Sequence, residues 1–129
     1  MKKYNTKDGM AIKGLVKAGF QVGIISHSHQ HKMVENRATM LGIQNVYVGS
    51  ENKLTILNQW LTLLNLSIKE VAYIGDDIND AEIMGAVGIS ACPKDAISSI
   101  KNISDIILNA KGGQACVREF IDEYLNIEK

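Results

Sequence analysis

The densest cluster of ionisable groups in the chain is Gly75-Asp76-Asp77-Ile78-Asn79-Asp80, three carboxylates within five residues, directly after the aliphatic run 71–74. Carboxylates this close repel one another unless a cation sits among them. Mg²⁺ is the cation that takes one or two carboxylates and completes its shell with water. The competing use is a solvated turn in which Asp80 caps the next helix. Such a cap needs one carboxylate and three are present, which favours the metal. Two further residues stand where a phosphate could be met. Ser26 follows the run 21–25, and a hydroxyl beside backbone N–H groups at a strand end can hold a phosphate oxygen. Lys53 opens a helical stretch and supplies a point charge for phosphate. Either residue alone would read as an ordinary loop serine or a solvated lysine.

Other groups carry weaker signals. His27, His29 and His31 alternate, as metal ligands sometimes do, but tetrahedral zinc needs further ligands at defined spacing. Cys92 and Cys116 lie far from them and form no Cys-x-x-Cys pair. Substrate-facing or solvated loop histidines fit better. Gly112-Gly113-Gln114 precedes the last helical stretch and reads equally as an anion-binding turn or a plain loop. Met10, Met33, Met40 and Met84 read as core fillers, and Trp60 as a packing residue among Leu57, Leu61 and Leu64.

The elements that must position these groups alternate in period. Helical spacing runs over 8–18, 30–41, 52–64, 80–84, 94–101 and 113–125. Short β-branched or aliphatic runs occupy 21–25, 45–48, 71–74, 87–90 and 105–108. This alternation predicts a parallel sheet covered by helices on both faces. The runs 21–25 and 71–74 show little polar alternation and read as strands buried on both faces. In open parallel sheets, ligands bind beyond the carboxyl ends of the strands, which is where Ser26 and Asp76 fall.

With 129 residues, 46% hydrophobic and 22% charged, the chain is expected to form one domain. Fourteen Lys+Arg balance fourteen Asp+Glu. Zero net charge argues against a general nucleic-acid or membrane-surface binder. No apolar run approaches the roughly 18 residues of a membrane span, and no signal-peptide stretch opens the chain. Two isolated cysteines suit a reducing compartment, so cytoplasm is the expectation. The alternation opens on a helix, preceded only by the short polar segment 2–6. The chain is therefore expected to be an N-terminally truncated piece, or to take its first strand from elsewhere.

In order, the chain presents an Asp8-Gly9 helix, a strand with Ser26, then Lys53, Val-Ala-Tyr-Ile-Gly-Asp-Asp-Ile-Asn-Asp over 71–80, and Gly-Gly-Gln-Ala-Cys-Val-Arg-Glu over 112–119. Together these resemble haloacid-dehalogenase phosphatases of the 3-deoxy-manno-octulosonate 8-phosphate phosphatase type. That group includes phosphatases of nine-carbon acid 9-phosphates and the C-terminal domain of some acylneuraminate cytidylyltransferases. The resemblance covers nearly the whole chain, with 71–80 and 117–119 its most specific part. It implies a capless, Rossmann-like three-layer α/β sandwich with a parallel sheet. It implies an Mg²⁺-dependent phosphomonoesterase acting on a small sugar-acid phosphate, often as a homotetramer whose neighbours help close the site. Ser26 would hydrogen-bond the phosphoryl group, and Lys53 would neutralise phosphate and nucleophile charge. Asp76 would ligate Mg²⁺, with Asp77 and Asp80 holding metal-bound waters or orienting Lys53. Gly112, Gly113 and Arg118 would lie near the sugar end.

The chain also departs from the pattern. The family's Asp-x-Asp motif, source of the phosphorylated aspartate and of an acid/base aspartate, does not occur before Asp8. Where the family often has Thr-Gly-Arg, this chain has Ser26-His27-Ser28; where it often has Arg-Gly after the double glycine, this chain has Gln114-Ala115. The resemblance therefore leads to two expectations. One is a phosphatase whose nucleophile lies outside residues 1–129, the chain alone showing negligible turnover. The other is a non-catalytic oligomerisation domain like the cytidylyltransferase tail.

Overall fold

A computed structural model of the chain describes residues 21–27, 43, 45–111 and 114–124. The helices expected over 8–18 and 30–41 lie outside them, as do His29, His31, Gly112 and Gly113. The described strands are β1 (Gly23–Ser26), β2 (Asn45–Val48), β3 (Ala72–Ile74), β4 (Ile89–Cys92) and β5 (Ile106–Ile107). The helices are α1 (Lys53–Leu64), α2 (Ala81–Ala86), α3 (Ser98–Ile103) and α4 (Gln114–Tyr124). Single 3₁₀ turns sit at Ile68–Glu70 and Ile78–Asp80.

All strand pairs among the described residues are parallel, in two sheets ordered β1-β2 and β3-β4-β5. Alternation along the strands sends side chains to opposite faces. Tyr73 and Cys92 join Leu57, Leu61, Ile83, Met84 and Ile100 on the α1–α3 side. Ile74, Ala91 and Ile106 pack with Leu108 and with Cys116 and Phe120 of α4. The same helices serve both sheets. Ile25 of β1 packs into the α1–α3 cluster, and Val117 of α4 packs against both Ile43 and the Ala91–Leu108 group. The result is the expected three-layer α/β arrangement.

Three expectations change. β4 begins at Ile89 rather than 87, because Val87 closes α2 with its N–H on the Ile83 carbonyl. Gly88 then passes against the preceding 3₁₀ turn so tightly that a Cβ would lie 2.0 Å from the Lys69 carbonyl oxygen. The helix expected over 94–101 starts only at Ser98. Residues 94–97 form a turn, with the Ala96 N–H on the Pro93 carbonyl and the Lys94 N–H on that of Ala110. Finally, β1 and β3 are half-exposed rather than buried on both faces; only β4 has a mostly buried pattern. Among the described residues, β1 and β3 each form the edge of their own sheet, so one flank of each lacks cover.

Candidate active site

Lys53 stands in the first turn of α1, which Asn52 caps by accepting the Thr55 N–H at 3.0 Å through Oδ1. A cation there opposes the helix dipole, and the side chain is only 9% exposed. Both costs are offset by Asp80, whose Oδ1 accepts a hydrogen bond from Lys53 Nζ at 2.7 Å. The Tyr73 hydroxyl donates to the same oxygen at 2.7 Å. Oδ2 accepts the backbone N–H groups of Asp76 and Asp77 at 3.0 and 3.1 Å. One carboxylate therefore takes four donors, close to its full acceptor capacity. Burial by itself would raise the Asp80 pKa, but Lys53, Tyr73 and the Asp77 amide outweigh it and hold the group below the usual carboxylate range. Burial, then the charge and hydrogen bond of Asp80, push the Tyr73 hydroxyl well above its ordinary value, so it stays a donor.

Gly75 makes this folding-back possible. A Cβ there would lie 2.6 Å from Asp80 Cβ and 2.8 Å from Met84 Sδ. Asp77 caps the 3₁₀ turn through the Ile78 N–H at 2.7 Å. Capping thus takes two of the three carboxylates rather than one, both at the 3₁₀ turn, and Asp80 makes no side-chain cap to α2 as the competing expectation had it. Among the described residues no three His, Cys, Asp or Glu side chains cluster as a metal cage. Asp76 is different: it is exposed, and no hydrogen bond or ion pair engages its carboxylate among the described residues.

The carboxyl ends of β1 and β3 meet at this turn. The Gly49 N–H donates to the Ser26 carbonyl at 3.0 Å. His27 Nε2 lies 2.7 Å from the Glu51 carbonyl oxygen, and its Nδ1 lies 3.3 Å from Asn79 Nδ2. Asn52 Nδ2 donates to Glu82 Oε1 at 2.7 Å, tying the start of α1 to α2. A continuous set of bonds thus links the segments that carry Ser26, Lys53 and Asp76. Arg118 sits on α4 with Nε 3.2 Å from Asp122 Oδ2. Its neighbour Glu119 accepts the Asn109 and Ala110 N–H groups at 2.9 and 2.8 Å, fixing the loop after β5. Tyr73 escaped the sequence reading. The available signal was a phenol in an otherwise aliphatic strand, which needs a hydrogen-bond partner once buried.

A lysine, an exposed carboxylate and a strand-end serine stand at or just past the carboxyl ends of parallel strands, where open α/β sheets take their ligands. The chain belongs to the haloacid dehalogenase-like hydrolases, whose pattern matches residues 25–120. It is 35% identical over 122 residues to the 3-deoxy-D-manno-octulosonate 8-phosphate phosphatase KdsC of Yersinia pestis, covering 95% of this chain and 65% of that protein. The Escherichia coli K12 counterpart is 34% identical, with 64% of its length covered. The chain thus spans just under two thirds of these relatives. The structure of the Yersinia pestis phosphatase superposes with a TM-score of 0.89, covering 95% of this chain and 65% of that one. The phosphatase from Moraxella catarrhalis, in complex with magnesium, phosphate and KDO, superposes with a TM-score of 0.82 at 29% identity, covering 92% and 74%.

Proposed function

We propose that the chain carries the phosphate- and metal-binding part of an Mg²⁺-dependent phosphomonoesterase acting on a phosphorylated 2-keto-3-deoxy sugar acid. The observation that carries this is the buried Lys53–Asp80 pair beside an exposed Asp76, whose carboxylate has no hydrogen bond or ion pair among the described residues. Asp80 fixes the ammonium, leaving two of its three N–H donors to face a phosphoryl oxygen. Ser26, at the end of β1, supplies a hydroxyl for a second oxygen. Asp76 would hold the metal, and one exposed carboxylate completed by water suits Mg²⁺. Bound there, the ion would neutralise phosphate charge. Asp77 is engaged as a cap and Asp80 by its four donors, so neither is placed as a nucleophile. That role falls to a carboxylate outside residues 1–129, attacking phosphorus in line. The substrate class and the homo-oligomeric state rest on the family resemblance, and Gly112, Gly113 and Arg118 remain its assignment for the sugar end.

The test is phosphate release from 3-deoxy-manno-octulosonate 8-phosphate and a nonulosonate 9-phosphate, with and without EDTA. It is run on the 129-residue chain and on a form extended upstream by a strand ending in Asp-x-Asp. Turnover by the extended form alone, lost in EDTA and reduced at least about a hundredfold by Lys53→Ala or Asp76→Ala, supports the reading. EDTA-sensitive turnover by the short chain would overturn the placement of the nucleophile. Inactivity of both would favour a non-catalytic domain.

A further inference from the structure

We infer that His27 is a positioning residue that holds the three site-bearing segments in register, an inference that rests on the phosphate-site reading only for its consequence. Three observations carry it. The imidazole follows Ser26 directly. Its Nε2 is bonded to the carbonyl of Glu51, two residues before Lys53, and its Nδ1 to the side chain of Asn79, next to Asp80. These contacts join residues 24 and 52 positions apart. Among the described residues, no other single side chain is bonded both to the turn before α1 and to the Asp76–Asp80 turn while directly adjoining Ser26.

The chemistry of the partners fixes the ring. A carbonyl oxygen only accepts, so Nε2 carries the proton. In the neutral ring Nδ1 accepts from the Asn79 amide. If both nitrogens are protonated, rotation of the Asn79 amide presents its oxygen to Nδ1, so the tie persists in either state. With both nitrogens engaged, His27 has no lone pair to offer a metal, which removes it from the His27–His29–His31 metal reading. The neighbouring bonds agree with a bracing role. Gly49 N–H holds the Ser26 carbonyl, and the Tyr47 hydroxyl accepts the Glu51 N–H at 3.0 Å. The 49–51 turn is therefore braced from β1, β2 and, through His27, from the acidic turn.

The experiment is residue-resolved amide hydrogen exchange on His27→Ala, His27→Gln and His27→Asn. Removing both bonds in His27→Ala should speed exchange at Glu51, Asp76 and Asp77 about threefold to tenfold, the scale of one lost hydrogen bond. The Ile100 and Leu108 amides should not change. His27→Gln, whose amide nitrogen reaches the Nε2 position, should restore protection at Glu51 only. His27→Asn, reaching the Nδ1 position, should restore it at Asp76 and Asp77 only. Titration with inorganic phosphate in the presence of magnesium should show His27→Ala binding about threefold to tenfold more weakly at unchanged thermal midpoint. Unchanged exchange at both turns, or a uniform rise that includes Leu108, would overturn the inference. If the parent chain binds no phosphate, the phosphate-site reading fails, while the exchange pattern still decides whether His27 braces the turns.

Discussion

Replacing Asp80 by Asn should be among the most damaging isosteric changes in this chain, and the reason can be counted. The carboxylate takes two donors on Oδ1, from Lys53 and Tyr73, and two on Oδ2, from Asp76 and Asp77. Asparagine has one acceptor oxygen. Whichever way its amide turns, an NH₂ group faces two donors, and the buried ammonium loses its counter-charge. Each hydrogen bond to a charged group contributes about 1.5–3 kcal/mol, and breaking a buried pair by removing one partner costs about 3–5 kcal/mol. We expect a loss of about 3–5 kcal/mol, a large share of the roughly 5–15 kcal/mol that holds a domain together. At this length that lowers Tm by about 10–20 °C. Lys53→Met should cost less, about 3 kcal/mol and so the lower end of the buried-pair range, because Asp80 keeps three of its four donors and the methionine stem refills the space. Thermal and urea denaturation of both variants check the order. A drop below about 4 °C for Asp80→Asn, or Lys53→Met as the worse variant, would show that the pair is solvated and the reasoning wrong.

Other outcomes follow from the same geometry. Because the folded pKa of Asp80 is depressed, its contribution is fully present above the unfolded value near about 4 and is lost as pH falls through the folded value. Acid titration of Tm should show that limb in the parent chain and not in Asp80→Asn. Tyr73 is raised, so its contribution is full below about 10 and is lost as pH climbs beyond that. Tyr73→Phe should flatten the alkaline limb. Gly75→Ala should cost about 1–3 kcal/mol through overpacking against Asp80 and Met84, read by urea denaturation. Asp76→Asn should leave stability within about 0.5 kcal/mol while abolishing magnesium binding in calorimetry.

The alternating periods located every described strand to within about two residues, because buried aliphatic runs and amphipathic helices leave strong signatures. Their ends were less legible. Val87 belongs to a helix cap, and Pro93 sets a turn where apolar spacing suggested helix. The 3₁₀ turn at Ile68–Glu70 was readable in principle, since Ser67 and Glu70 form a capping box. At the site, type and spacing marked out Ser26, Lys53 and the acidic run. They did not reveal which acid turns inward. That depends on Tyr73 and on Gly75 clearing a path for Asp80, and both are contacts made only once the 78–80 turn folds back on β3. The linkage through His27 was hidden for the same reason, as its partners lie 24 and 52 residues away.

The two cysteines are unbridged and buried, Cys92 at 0% and Cys116 at 3% exposure. They lie on opposite sides of the β3-β4-β5 sheet, Cys92 among the α1–α3 residues and Cys116 on the buried face of α4. The molecule thus carries a native chemical reporter on each side. Thiol modification can occur only when the covering layer lifts, so its rate measures how often that layer departs. Reaction at Cys116 ahead of Cys92 would mean that α4 peels away while the layer holding Lys53 stays closed. Equal rates would mean that both layers come off together, as one cooperative unit.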